Sequence, residues 1–323
     1  MLHCDVLLTE ADLTRQFLSA IEDRHLPEKF FYWMPLSVRA WLDLCDGNSA
    51  YRNFSRSLQL INACAADIAL KLGRGPLEVV SLGAGQGDKD LVMLQALRAA
   101  GGEPLYQPLD ASQALLELAL ERAAAAGFEA RGIKADVNAR ATAGALAVTA
   151  SLRRVYMVLG NSLGVGDPAQ FLAMLRAVMR DEDWLLVDGE LFDAQMTLAG
   201  YDNPINRRFA FAPLASVGLE AGRDGELIFA TAPAPTAQGV WLVTKHFKAA
   251  RQIEIALAGA RLQLGAGEIV HMNASCKYAV GAVAAMLARA GFAAAADYRS
   301  DDGRFEMFLV RAAVAGGRGS GAP

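Results

Sequence analysis

The segment Val79-Val-Ser-Leu-Gly-Ala-Gly-Gln-Gly-Asp-Lys-Asp90 constrains this chain more than any other stretch of it. Residues 77–82 are a β-branched and leucine run suited to a strand buried on both faces. Gly83, Gly85 and Gly87 then let the backbone turn sharply with no Cβ between it and a ligand. A helix is expected at once, over 88–97, so its free backbone N–H groups point back at the glycine turn and make it electropositive. The next strand ends in Leu105-Tyr-Gln-Pro-Leu-Asp110. That places a carboxylate where folds of this kind hydrogen-bond the two hydroxyls of a ribose. A nucleotide-like cofactor is expected at this turn.

Strand and helix alternate on either side of it. Helices are expected over 58–72, 113–127 and 168–179, and strands near 135–137 and over 154–159 and 184–187, which predicts an α/β fold with a doubly wound, Rossmann-like parallel sheet. The far end reads as a helix over 278–290, then Gly291-Phe292, a strand, a turn at Asp301-Asp302-Gly303 and a last strand over 305–311. A helix followed by a closing antiparallel hairpin is how class I methyltransferases finish their sheet. The glycines, G-A-G-Q-G-D, also miss the G-x-G-x-x-G spacing that seats a dinucleotide pyrophosphate. Both ends together favour S-adenosylmethionine over a nicotinamide dinucleotide, and leave a dinucleotide-dependent oxidoreductase as the weaker alternative.

The cofactor-binding core is expected over 58–193 and 273–312. Between them, over 194–272, the alternation is lost to Tyr201-Asp-Asn-Pro-Ile-Asn206, polar turns at 223–225 and 232–238 and short strands over 241–247 and 251–256. This insertion and the aromatic-rich residues 1–57 are expected to form a smaller substrate-binding lid over the carboxyl ends of the strands. The tail 313–323 has no apolar periodicity and is expected to be disordered.

With 323 residues, 53% of them hydrophobic, the chain can bury a large core. A net charge of −4 and a pI near 5.7 supply no basic surface for phosphate backbones, so nucleic acid is not an expected partner. No uncharged apolar run reaches eighteen residues, and Asp5, Glu10 and Asp12 interrupt an N-terminus that lacks basic residues ahead of an apolar stretch. A cytoplasmic protein with no membrane partner is expected. Cys4, Cys45, Cys64 and Cys276 show neither metal-ligand nor redox spacing, so no metal site is expected and the thiols should be reduced. A small-molecule acceptor fits this composition.

Several short segments occur in a telling order: Lys29-Phe-Phe-Tyr32, the glycine turn with Lys89 and Asp110, Leu159-Gly-Asn-Ser-Leu-Gly164, Tyr201-Asp202 and Ser275-Cys-Lys-Tyr278. In that order they resemble the histidine-specific, S-adenosylmethionine-dependent methyltransferase family, over about residues 25–311. The resemblance implies that Gly83, Gly85, Lys89, Asp110, Asp136 and Val137 bind the cofactor. It implies that Tyr32 stands near the methylated amine and Tyr201 helps hold the substrate carboxylate; Tyr32 and Tyr201, with Asn161, are the expected catalytic residues that orient the amine lone pair. Asn161, Ser162 and Tyr51 are expected nearby.

Three positions depart from the family. Val165 stands where the family has an asparagine that holds the amino acid moiety, and Ile255 where members often carry methionine. Asn273, two residues before Ser275, replaces a glutamate that binds the imidazole. A carboxylate able to accept from an imidazole N–H has become a neutral amide. Histidine is therefore expected to be a poor acceptor, with an aromatic or apolar amino acid, a related amine or a natural-product intermediate in its place. A non-catalytic descendant that binds S-adenosylmethionine or a protein partner is the alternative.

Overall fold

The computed structural model describes residues 3–46, 51–147 and 151–313. β1 (His3–Val6) opens the chain and α1 (Glu10–Glu22) follows, its start closed by a capping box in which Thr9 and Asp12 bond each other's backbone N–H. A 3-10 turn at Glu28–Phe31 leads to α2 (Pro35–Cys45) and α3 (Asn53–Leu72). The alternating segment then runs β2 (Gly75–Leu82), α4 (Asp88–Ala99), β3 (Gly102–Asp110), α5 (Gln113–Ala125), β4 (Arg131–Lys134), α6 (Arg140–Leu146), β5 (Arg154–Val158), α7 (Pro168–Val178) and β6 (Trp184–Glu190). After it come α8 (Met196–Tyr201), α9 (Pro204–Ala215), β7 (Gly225–Pro233), β8 (Val240–Ala249), β9 (Ile253–Leu257), β10 (Ala260–Leu264) and β11 (Ile269–Tyr278). The described chain closes with α10 (Ala282–Arg289), β12 (Phe292–Arg299) and β13 (Phe305–Ala312).

Eight strands form one sheet in the order β1-β4-β3-β2-β5-β6-β13-β12. Neighbours from β1 to β6 pair parallel, and β13 lies antiparallel between β6 and β12. This is the doubly wound, hairpin-closed sheet that the sequence predicts. Alternate residues of the central strands face opposite layers: Val80, Tyr156 and Leu185 enter one buried cluster, Val79, Val155 and Leu186 the other. Strand order reverses at β2, which has β3 on one side and β5 on the other, so a crevice opens at the carboxyl ends of these strands.

A second layer stands over that crevice. β7, β8 and β11 make a three-stranded antiparallel sheet beside the β9-β10 hairpin. Phe17, Phe30, Phe31, Phe209, Phe247 and Val270 share one buried cluster there, so aromatic residues of the N-terminal segment and of the insertion form a common core.

Several boundaries differ from the sequence expectation. Residues 1–57 are not wholly lid: β1 adds a parallel edge strand to the main sheet beside β4, and α3 begins at Asn53. The helix expected over 278–290 is α10 alone, because Ile269–Tyr278 is a strand registered against β8; the lid sheet therefore runs through position 273. The strand β7 was hidden behind the Arg223-Asp-Gly225 turn that starts it. Apart from Ala313, the tail expected to be disordered lies outside the described residues.

Candidate active site

A cavity of about 430 Å³ occupies the crevice between sheet and lid. Its core wall comes from the glycine turn, Asp110, Asp136, Val137 and the loop after β5; its lid wall comes from Glu28, Tyr32, Trp41, Tyr51, Leu242 and residues 273–276.

Main-chain geometry shapes the core wall. Gly83, Gly85 and Gly87 have φ of +74°, +56° and +80°, values that L side chains rarely adopt. A Cβ at Gly87 would also lie 3.0 Å from the Ala119 Cβ, so glycine there lets α4 start against α5. Asp110 is held at both oxygens, with Oδ2 accepting from the Gly85 N–H (2.9 Å) and Oδ1 from the Ser112 N–H (2.8 Å). Burial raises its pKa above the usual range, opposed by those N–H groups. Each oxygen still has a lone pair for a hydroxyl donor. The pair of hydroxyls on a ribose suits this carboxylate.

Asp136 accepts from the Asn138 N–H (3.0 Å) and from the Lys29 ammonium (2.8 Å), an ion pair that ties the lid to the core across the cavity rim. Lys89 lies with its ammonium 4.3 Å from the centre of the Phe54 ring and against Gly160, where a Cβ would meet Nζ at 3.1 Å.

The lid wall is made of side chains. Tyr32 donates to Glu28 Oε1 (2.9 Å) and packs edge-on against Trp41. Tyr51 meets the Tyr201 ring edge-on at 5.2 Å. Burial pushes the pKa of Tyr32, Tyr51 and Tyr201 well above the ordinary value, so all three are neutral phenols. Tyr201 itself lies behind the cavity surface, where its hydroxyl accepts from Asn53 Nδ2 (3.0 Å) and donates to Ser275 Oγ (3.4 Å).

Asn161, at φ +64°, joins three elements. Its Oδ1 accepts from the Glu190 N–H (3.0 Å), and its Nδ2 donates to Ser275 Oγ (3.3 Å) and the Cys276 carbonyl (3.2 Å). Asp188 fixes the same loop by accepting from the Gly160 and Asn161 N–H groups. Val165 pairs with Ser275 across the seam between core and lid.

Of the residues singled out from the sequence, Gly83, Gly85, Lys89, Asp110, Asp136, Val137, Tyr32, Tyr51, Asn161, Val165, Asn273 and Ser275 line this one cavity. Ile255 does not: it sits on β9, opposite Leu262, fully buried in the lid core. Strand alternation turns Ile253 and Ile255 inward together and Glu254 out, and the aliphatic residue that the lid sheet gives to the cavity is Leu242.

The sequence reading passed over Glu28, Lys245 and the pairing role of Lys29. Glu28 and Lys29 directly precede Phe30-Phe-Tyr32. Lys245 shares a strand face with buried Val243 and Phe247, so a cation at an apolar alternation position was the available signal. Among the described residues no group of three or more His, Cys, Asp or Glu is placed to hold a metal ion, and no helix is long and apolar enough to cross a membrane.

Comparison with known proteins adds three findings. The family described as "Histidine-specific methyltransferase, SAM-dependent" matches residues 10–312. A histidine N-alpha-methyltransferase of Mycobacterium tuberculosis (strain CDC 1551 / Oshkosh) is 28% identical over 270 residues, 79% of this chain and 78% of that protein. One from Mycolicibacterium smegmatis is 28% identical over 249 residues, 73% of each. A solved S-adenosylmethionine-dependent methyltransferase from Clostridium acetobutylicum ATCC 824 aligns with TM-score 0.44 at 8% identity, over 82% of this chain and 96% of its own. At that level the fold rests on the strand order of this chain itself.

Proposed function

This chain belongs to the histidine-specific, S-adenosylmethionine-dependent methyltransferase family and is an S-adenosylmethionine-dependent methyltransferase, and from that premise we propose that it methylates the amine of an amino acid or related small molecule other than histidine. The observation that carries the proposal is one cavity that joins a ribose-type carboxylate on one wall to neutral phenols on the other. Gly83 and Gly85 would lie along the methionine portion of the cofactor, Lys89 beside it, Asp110 at the ribose, and Asp136 with Val137 at the adenine.

When bound, S-adenosylmethionine supplies a methyl group activated by its sulfonium. In-line displacement asks the protein chiefly to align the nucleophile and keep water out. Tyr32 uses its proton on Glu28, so its oxygen lone pairs remain to accept an N–H from the incoming amine and turn the nitrogen lone pair toward the methyl group. Tyr201, one layer back, positions Ser275 and the Tyr51 ring. Neutral phenols suit an amine that must attack uncharged.

Asn273 supports the exclusion of histidine, since it offers no carboxylate to an imidazole. The test is to incubate the protein with S-adenosylmethionine and a panel of amino acids and amines, and to read products by mass spectrometry. Methylated amines other than histidine are expected. Histidine trimethylation at least as efficient as any other reaction would overturn the proposal, and cofactor binding with no methyl transfer to any acceptor would point to the non-catalytic alternative.

A further inference from the structure

Behind the lid wall lies a charge that methyl transfer does not require. Lys245 is buried on β8, its ammonium 5.6, 5.6 and 5.9 Å from the ring centres of Phe31, Tyr201 and Phe209, and its hydrogen bond goes to a neutral group, Asn273 Oδ1, at 2.8 Å. An ammonium can only donate. The Asn273 carbonyl must therefore face Lys245, and its NH2 must face away.

That NH2 is buried and meets no acceptor, on a residue that lines the cavity. The ammonium behind it polarises the amide and strengthens its N–H groups as donors. On the same lid wall, Glu28, close enough to Lys245 for their charges to interact, has the opposite need. Its Oε1 accepts from Tyr32, while Oε2 is buried without a donor. The other buried cation of the region, Lys277, is paired with Glu190 at 2.9 Å and bonded to Ser275, so it leaves these two atoms unmet.

We propose that the acceptor carries a neutral carboxamide-type end, whose carbonyl oxygen accepts from Asn273 Nδ2 and whose N–H donates to Glu28 Oε2. This specificity rests on reading the cavity as an amine-methylating site. An apolar side chain would bury both polar atoms without partners, each worth about tenfold or more in affinity. A carboxylate would satisfy Asn273 but meet the Glu28 charge. Lys245 acts through Asn273 and is a positioning residue.

The test is calorimetry on protein saturated with S-adenosylhomocysteine. The probes are L-glutamine, L-norleucine, L-glutamate and L-histidine, with 5-aminopentanamide and hexylamine as a pair that lacks the α-carboxylate. Glutamine is expected to bind at least about tenfold more tightly than norleucine or glutamate, and the amide amine more tightly than hexylamine. Asn273→Asp turns an acceptor toward the cavity and should erase both differences while the affinity for S-adenosylhomocysteine stays unchanged, which also reports that the variant is folded. Asn273→Leu should do the same, Lys245→Met should weaken the preference and Lys245→Arg should retain it.

Norleucine binding as tightly as glutamine, or a preference that survives in Asn273→Asp, overturns the inference; histidine binding as tightly as glutamine overturns the exclusion of histidine instead. Amino acids that bind and are methylated with no amide preference overturn it alone. An amide preference seen only in the amine pair leaves it standing and removes the amino acid reading instead. Binding by none of the six probes overturns both.

Discussion

The two walls of the cavity are built by different means. The core wall takes its shape from backbone: three glycines at positive φ, and N–H groups that aim a carboxylate from the end of the adjacent strand. The lid wall is assembled from side chains that start far apart in sequence, at Glu28, Tyr32, Tyr51 and Asn273, and are brought together by tertiary packing. Main-chain recognition changes little when side chains are exchanged, whereas a side-chain wall changes what it accepts with one residue. A cofactor site can therefore persist while the acceptor site is re-specified.

The largest effect that would break this contrast is at Asp110. Asp110→Ala removes the charged acceptor for two hydroxyls and should weaken S-adenosylhomocysteine binding roughly a hundredfold or more by calorimetry. Unchanged affinity would show that the ribose lies elsewhere. On the opposite wall, Tyr32→Phe should lower kcat by about 10- to 100-fold with cofactor affinity unaltered; a fall in cofactor affinity with kcat retained would remove Tyr32 from the reacting centre.

A third prediction concerns stability. Burial lowers the Lys245 pKa to about 8 from the ordinary 10.5. Between those values the unfolded chain holds more protons than the folded one, so the group depresses stability fully below pH 8, and the penalty fades as pH rises toward 10.5. Lys245→Met should thus gain about 1–2 kcal/mol at pH 7 in urea denaturation, allowing for the lost bond to Asn273, and little near pH 10. An equal gain at both pH values would show that the ammonium is not desolvated. The smallest effect is expected for Lys29→Ala. Loss of the partly exposed pair with Asp136 should change cofactor affinity only about two- to fivefold, with a weaker effect in high salt.

The same contrast explains what could be read in advance. The glycine turn, Asp110 and the closing hairpin were legible because each is a local pattern: a period-2 or period-3.6 run, or a turn that only glycine permits. Ile255 was misplaced because a strand pattern says which residues share a face and not which core that face enters. The end of β11 was missed because Tyr278 reads as a helix start until β8 is there to pair with it. β1 escaped notice for a similar reason: a four-residue edge strand is defined by its partner β4. Lys245 was visible as a charge on an apolar face, but its partner Asn273 lies on another strand.

The separability of the two walls is the central claim, and exchanging Asn273→Glu tests it most directly. In one preparation, S-adenosylhomocysteine affinity is measured by calorimetry and acceptor choice by competition between histidine and glutamine for methyl transfer. The account predicts cofactor affinity within about twofold of the parent chain and a histidine-to-glutamine turnover ratio raised by about tenfold or more. A turnover ratio that stays put while cofactor affinity falls tenfold would contradict it.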